Sequence, residues 1–197
     1  MDNNFDIYRT DEWFESLKWQ HQWIDRMVAW WVGTFGRPQS VLDFGAGDGW
    51  WCNSFNEMGC PSTTAIELDE LARKYMPEKV SFIRHDLREP LDLGFQVDLV
   101  ICLEVAEHIP PQYASRLVTT LCKHSANRVL FSSAPPGQSG TGHINLQQPE
   151  YWRKMFAGMK LAFDAPRTGA TRCAFQNIVK ECFDFLPRNI QVFSRLE

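Results

Sequence analysis

The six cysteines of this 197-residue chain are Cys52, Cys60, Cys102, Cys122, Cys173 and Cys182. None forms a C-x-x-C pair, which argues against a zinc ribbon or a redox dithiol. Several sit in apolar runs, where a free cysteine packs as a small hydrophobe, and this usage suits a reducing compartment. Basic residues are not in excess either. Twenty Lys and Arg face 24 Asp and Glu, a formal charge of −4, so no global field draws the chain to nucleic acid or an anionic membrane. No apolar run approaches the ~18 residues that span a bilayer. The opening Met1-Asp2-Asn3-Asn4-Phe5-Asp6 is acidic and polar, unlike a secretory leader. Together these absences predict a cytoplasmic protein. No internal repeat or low-complexity segment interrupts the chain. Its length suits one domain, 1–197, divided into an N-terminal helical extension (1–37) and a core (38–197). Tryptophan, by contrast, is abundant: eight in all, five of them before residue 32.

Those tryptophans fall in a segment whose spacing predicts one helix over 11–35, capped by Thr10 or Asp11. Trp13, Leu17, Ile24, Met27, Val28 and Trp31 share a face. The expectation is a helix docked on a sheet edge. A lid over a ligand is the alternative, with Trp19, Trp23 and Trp30 off the main face.

The stretch Val41-Leu42-Asp43-Phe44-Gly45-Ala46-Gly47-Asp48-Gly49-Trp50 follows. It reads as a buried strand, a glycine turn and a helix start, the first unit of a nucleotide-binding α/β fold. A dinucleotide fingerprint needs a small residue where Trp50 stands. Asp43 and Asp48 would also repel a pyrophosphate, whereas they suit a cationic or hydroxyl-rich ligand. Strands are expected at 40–44, 63–67, 80–84, 97–103, 128–133, 160–164 and 190–195. Helices are expected at 49–58, 70–75, after Pro110-Pro111, from Pro149, and around Phe175, Ile178, Val179, Cys182 and Phe183. A turn at Pro187-Arg188-Asn189 leads into the last strand. Near-continuous apolar strands separated by helices imply a sheet covered on both faces. The fold class is therefore α/β: a three-layer αβα sandwich with a seven-stranded, mostly parallel sheet whose last strand is antiparallel.

The glycine turn resembles motif I of class I S-adenosylmethionine-dependent methyltransferases, and the likeness extends over about residues 38–163. It implies a Rossmann-like core, S-adenosyl-L-methionine as cofactor, and a methyl acceptor. Glu67 ends the second strand about 20 residues after the turn, where an acidic side chain can accept from ribose hydroxyls. The resemblance implies cofactor contacts at Asp43, Gly45, Ala46, Gly47, Gly49, Trp50, Glu67, Leu68, Asp86, Leu87, Leu103 and Glu104. Asp43 would lie near the methionine ammonium, Asp86 would take the adenine amino group, and the Leu87 N–H would reach the ring.

Leu103-Glu104-Val105-Ala106-Glu107-His108 resembles the E-V-x-E-H signature of many of these enzymes. It also resembles small-RNA terminal 2′-O-methyltransferases, in which a distant histidine completes a divalent-metal site. That likeness implies Glu104, Glu107, His108 and His143 as metal ligands. Without metal, Glu107 would cap a helix and His108 would pack under the cofactor. His143 lies in the loop Pro135 to His143 and would act as a general base, with His108 beside it, or else would simply bond loop carbonyls. A small-molecule or sugar acceptor is favoured, nucleic acid remains an alternative partner, and no membrane partner is expected. The other function class is a non-catalytic cofactor-binding module.

Overall fold

The structure, a computed structural model, describes residues 10–180 and 184–196. The opening residues 1–6, and Cys182 and Phe183 of the expected late helix, lie outside them.

The first helical segment is broken. Helix α1 (Asp11–Leu17) is capped by the Thr10 hydroxyl, which accepts from the Trp13 N–H at 3.1 Å. A tight 3₁₀ turn, Lys18–Gln20, then leads into α2 (His21–Phe35). The break lets the two pieces bury different faces. The buried Phe14 of α1 stacks on Tyr75 with ring centroids 5.0 Å apart, and Asp11 pairs with Lys74 at 2.8 Å and with the Tyr75 hydroxyl. Ile24, Met27, Val28 and Trp31 of α2 enter a core cluster beneath the sheet. The expected single helix on the sheet edge is therefore corrected: α2 packs on a sheet face, and α1 crosses to the β2–β3 connection.

The strands are β1 (Ser40–Phe44), β2 (Ser62–Glu67), β3 (Ser81–Arg84), β4 (Val97–Cys102), β5 (Ser125–Phe131), β6 (Leu161–Phe163) and β7 (Gln191–Arg195). They form one seven-stranded sheet in the order β3-β2-β1-β4-β5-β7-β6. The first five run parallel, and β7 is antiparallel to both β5 and β6. The remaining helices are α3 (Trp50–Glu57), α4 (Ala114–His124), α5 (Pro149–Gly158), α6 (Ala165–Val179) and α7 (Phe185–Asn189). Apolar stripes of α4 and α5, such as Leu117, Leu121, Trp152 and Phe156, pack on one face of the sheet. Those of α2, α3 and α6, such as Met27, Phe55 and Phe175, cover the other. The three-layer αβα class is as expected.

Local differences have local causes. The expected helix at 70–75 is a 3₁₀ segment, Glu70–Lys74, capped by the Asp69 carboxylate and closed two residues before Pro77. Strand β5 begins earlier than expected because Arg195 of β7 donates to the Ser125 carbonyl, holding that end in the sheet. The turn at Pro187 is the short helix α7, in which the Ile190 N–H closes on the Leu186 carbonyl at 3.1 Å. No helix among the described residues is long and apolar enough to cross a membrane. The five described cysteines are free thiols, four of them buried.

Candidate functional site

The order β3-β2-β1-β4-β5 reverses direction between β1 and β4. Parallel sheets of this kind place ligands at the carboxyl ends of the strands flanking such a reversal. The glycine turn leaves β1 there, and Glu104-Val105 leaves β4. The two loops approach so closely that a Cβ on Gly45 would stand 2.5 Å from Val105 Cγ2. Gly45, Gly47 and Gly49 all have positive φ (77°, 56° and 74°), which glycine adopts without strain. The turn hangs from β2, with the Gly45 and Ala46 N–H groups donating to the Ile66 carbonyl.

Two clefts open along this edge. One, of about 210 Å³, includes Gly45, Glu67, Leu68, Asp86, Leu87 and Glu104 in its lining. The other, of about 330 Å³, includes Asp43, Ala46, Gly47, Leu103 and Glu104. Gly45 and Glu104 line both, and so does Trp13. Ten of the twelve expected cofactor residues therefore line one cleft or the other. The two that do not are Gly49 and Trp50. A Cβ on Gly49 would collide with the Met76 sulfur, so this glycine closes the turn against a neighbouring side chain. The Trp50 indole faces α2, where it stacks on His21 at 3.7 Å and donates to Asp25 at 2.9 Å.

The carboxylates of the site are held differently. Glu67 accepts from the Gly47 N–H at 3.1 Å and the Leu68 N–H at 2.7 Å, one on each oxygen. Burial raises its pKa, and those two amides oppose the rise. Asp86 is raised by burial, but the two-point grip of Arg88 outweighs this and holds it below the usual range. Asp43 is buried, and its Oδ2 has no hydrogen-bond partner. Burial, with the charges of Glu67 and Asp48 behind it, pushes Asp43 up to about 8.

After β5 the loop 132–148 folds back toward the end of β4. The Ile144 and Asn145 N–H groups both donate to the Glu107 carbonyl, at 2.9 and 3.0 Å. This clip brings His143 to His108, with ring centroids 5.0 Å apart. Gly140 is needed for the fold-back, because a Cβ there would overlap the His143 ring. Donor atoms of Glu107, His108 and His143 lie within 4.8 Å of one another. Glu104, expected as a fourth ligand, is outside this cluster. Its left-handed backbone (φ 54°) presents the carboxylate to Asn189 Nδ2, at 3.1 and 3.2 Å, and to Gln138 Nε2 at 3.4 Å.

Glu107 is fully buried with both carboxylate oxygens unpartnered. Burial, then the Glu104 charge, pushes it up to about 8. The Ser133 hydroxyl and the Ala134 backbone lie near enough to oppose that rise but do not close hydrogen-bond geometry. Glu107 makes no side-chain cap to the following helix. Burial lowers His108 to about 4; the His143 charge adds to this, and the Gly142 carbonyl, 3.1 Å from Nδ1, opposes it. His108 Nδ1 and His143 Nδ1 each face a carbonyl (Gly142, and Gln138 at 3.3 Å), which can only accept, so in the neutral ring the hydrogen is assigned to Nδ1 and Nε2 is left as the acceptor.

Sequence reasoning missed Trp13 and Asn189. Trp13 sits on the apolar stripe and was indistinguishable from core. Asn189 meets Glu104 across 85 residues of sequence, and nothing local announces it.

A methyltransferase-domain family model matches residues 14–175. No curated protein sequence matches the chain. Among solved structures, an amino pentose methyltransferase from Micromonospora echinaspora superposes with a TM-score of 0.68 at 15% identity, over 92% of this chain and 96% of that one. Magnesium protoporphyrin IX methyltransferase from Synechocystis, solved with S-adenosylhomocysteine, gives 0.63 at 20% identity over 90% and 84%. A sugar N-methyltransferase from Streptoalloteichus gives 0.63 at 16% over 90% and 87%. At such identities the likeness is one of fold.

Proposed function

As the chain belongs to the methyltransferase-domain family, we propose that it binds S-adenosylmethionine across the two clefts and moves its methyl group to an O or N of a small-molecule or sugar acceptor. The observation that carries this reading is Asp43. A buried carboxylate oxygen without a partner, in the wall of the cleft beside the glycine turn, suits a ligand ammonium. The rest of the edge fits the same ligand. Each Glu67 oxygen keeps a lone pair for a ribose hydroxyl, and Leu68 and Leu87 flank an apolar slot for adenine. Trp13 covers the junction of the two clefts. The neighbours of this fold include enzymes named for amino sugar, sugar and porphyrin methylation, which supports a small acceptor.

The cofactor, when bound, supplies a methyl group that is already electrophilic. The chain's own work is to orient the acceptor, exclude water and take a proton. His143 is the residue proposed for the proton, through Nε2, while the Gln138 carbonyl fixes the ring by Nδ1. His108, held near 4, is too weak a base at neutral pH and serves as its neighbour.

A second reading rests on Glu107. Two orphaned oxygens beside two imidazole lone pairs also suit a divalent cation, held by Glu107, His108 and His143. Such an ion would supply positive charge that eases loss of the acceptor proton. Glu104 is no part of that set.

The test is a competition and a screen. S-adenosylhomocysteine should bind and NAD should not displace it. Sugars, phenols, amines and short RNA, offered with S-adenosylmethionine, should yield S-adenosylhomocysteine for at least one small acceptor. Displacement by NAD, or no binding, would contradict the reading.

A further inference from the structure

A third cleft, of about 580 Å³, opens between the loop after β5, the start of α5, α6 and α7. Its lining holds three arginines, Arg153, Arg172 and Arg188, against two acidic residues, Glu150 and Asp184. In a chain of net charge −4 this is a local reversal of sign. Asp184 is taken by Arg188. Glu150 reaches Arg153 at 3.4 Å and is otherwise mostly in solvent. Among the described residues Arg172 has no carboxylate partner: its Nε donates to the Ile190 carbonyl at 2.8 Å, and its terminal nitrogens make no hydrogen bond there. Arg153 is fixed in the same manner, its Nε donating to Gln191 Oε1 at 2.8 Å and its guanidinium lying 3.7 Å from the Phe163 ring centroid. Burial, and then the Arg153 charge, lower the pKa of Arg172. Two half-buried guanidinium groups are thus pinned through Nε by neutral acceptors, and of the two only Arg153 has a carboxylate, the largely exposed Glu150 at 3.4 Å. Such a pair costs free energy until an anion joins it, and the planar fork matches carboxylate or phosphate oxygens.

The cleft adjoins the cofactor edge. Phe185 lines both it and the cleft that holds Asp43. Asn189 and Gln138, also in its wall, are the residues that grip Glu104.

We propose that this cleft takes the methyl acceptor, and that the acceptor carries an anionic group, carboxylate or phosphate, held by Arg153 and Arg172. The proposal rests on the methyltransferase reading and names the substrate class for it.

The experiment uses the full chain loaded with S-adenosylhomocysteine, titrated separately with benzoate and with inorganic phosphate and followed by calorimetry. The wild type should bind at least one of them. Arg172→Gln and Arg153→Gln should each weaken that binding by about tenfold or more, with Arg172→Lys between. S-adenosylhomocysteine affinity should stay within about twofold in every variant, a difference of no more than ~0.4 kcal/mol, and this reports that each is folded. Tighter benzoate binding identifies a carboxylate acceptor, and tighter phosphate binding a phosphorylated one. In turnover, hydroxybenzoates should then outrun phenol, or sugar phosphates outrun free sugars. If the cofactor product binds but neither anion does, or if both glutamine variants bind the anions as well as the wild type, the anionic acceptor is overturned alone. If the cofactor product does not bind, the reading beneath it falls as well.

Discussion

Glu67, half-buried, and Glu107, fully buried, are two carboxylates at the carboxyl end of one sheet, and they are held in opposite ways. Both oxygens of Glu67 already accept backbone N–H groups from the glycine turn and its own strand end. Neither oxygen of Glu107 has a partner. The first is finished without a ligand, since local backbone supplies what a buried charge needs. The second holds a proton at neutral pH or waits for a cation. Glu67 is therefore preorganised by turn geometry, which is local in sequence. The surroundings of Glu107 are assembled by long-range contacts, and Glu107, like Asp43, is left with an oxygen that has no partner among the described residues.

The largest effect that would sharpen this contrast is on turnover. His143→Ala should lower the rate by about 10²–10⁴, with cofactor affinity unchanged. Chelator should not affect the wild type. If chelator abolishes activity and magnesium or manganese restores it, Glu107 is completed by a cation and the general-base assignment gives way to the metal reading.

A smaller effect is expected on the finished side. Glu67→Ala removes the ribose acceptor and strands the Gly47 and Leu68 N–H groups, so cofactor affinity should fall by about tenfold or more. An unchanged affinity by calorimetry would mean that Glu67 serves only to brace the turn.

Trp13→Ala tests whether α1 belongs to the site. Trp13 lines both clefts, and a Cβ on Gly47 would lie 3.6 Å from its ring. Loss of that cover should weaken cofactor binding by about threefold to tenfold. Affinity equal to the wild type would return α1 to a purely structural role.

A further effect is on the pH dependence of stability. Asp43 and Glu107 are each pushed up to about 8, well above their values in an unfolded chain. The folded state then binds more protons than the unfolded state between about pH 4 and 8, so their contribution is full in acid and is lost as pH rises through 8. The cofactor-free protein should lose denaturant resistance across that window, and Glu107→Gln should flatten the slope. His108, held near 4, pulls the other way below about pH 6.5, so a stability that rose between about pH 6.5 and 8 is the result that would contradict the burial argument for both groups.

Much of the sheet, and the glycine turn at its edge, could be read in advance, because both rest on short-range signals. Buried parallel strands announce themselves as apolar runs, and a glycine turn announces positive φ. The direction of the Trp50 side chain was not legible, because residue type and position in the motif do not reveal which way a side chain turns; its indole meets Asp25 and His21. Glu104 misled for another reason. Three residues before Glu107 in the same signature, it carries the expectation of a shared ligand, but a left-handed backbone aims it at Asn189, which only the tertiary fold supplies. The break at Lys18–Gln20 contains neither glycine nor proline and is imposed by where Phe14 and Ile24 find their partners.

The central claim is that Asp43 receives the ammonium of S-adenosylmethionine, and proton counting tests it most directly. Binding would be measured by calorimetry at pH 7 in two buffers of different ionisation enthalpy, for the wild type and for Asp43→Asn. Asp43, at about 8 before binding, is mostly protonated there, and an ammonium brought beside it would favour the carboxylate. The wild type should release protons on binding, and Asp43→Asn should bind more weakly and release fewer. Binding without proton release, or the same release from both proteins, would contradict the account.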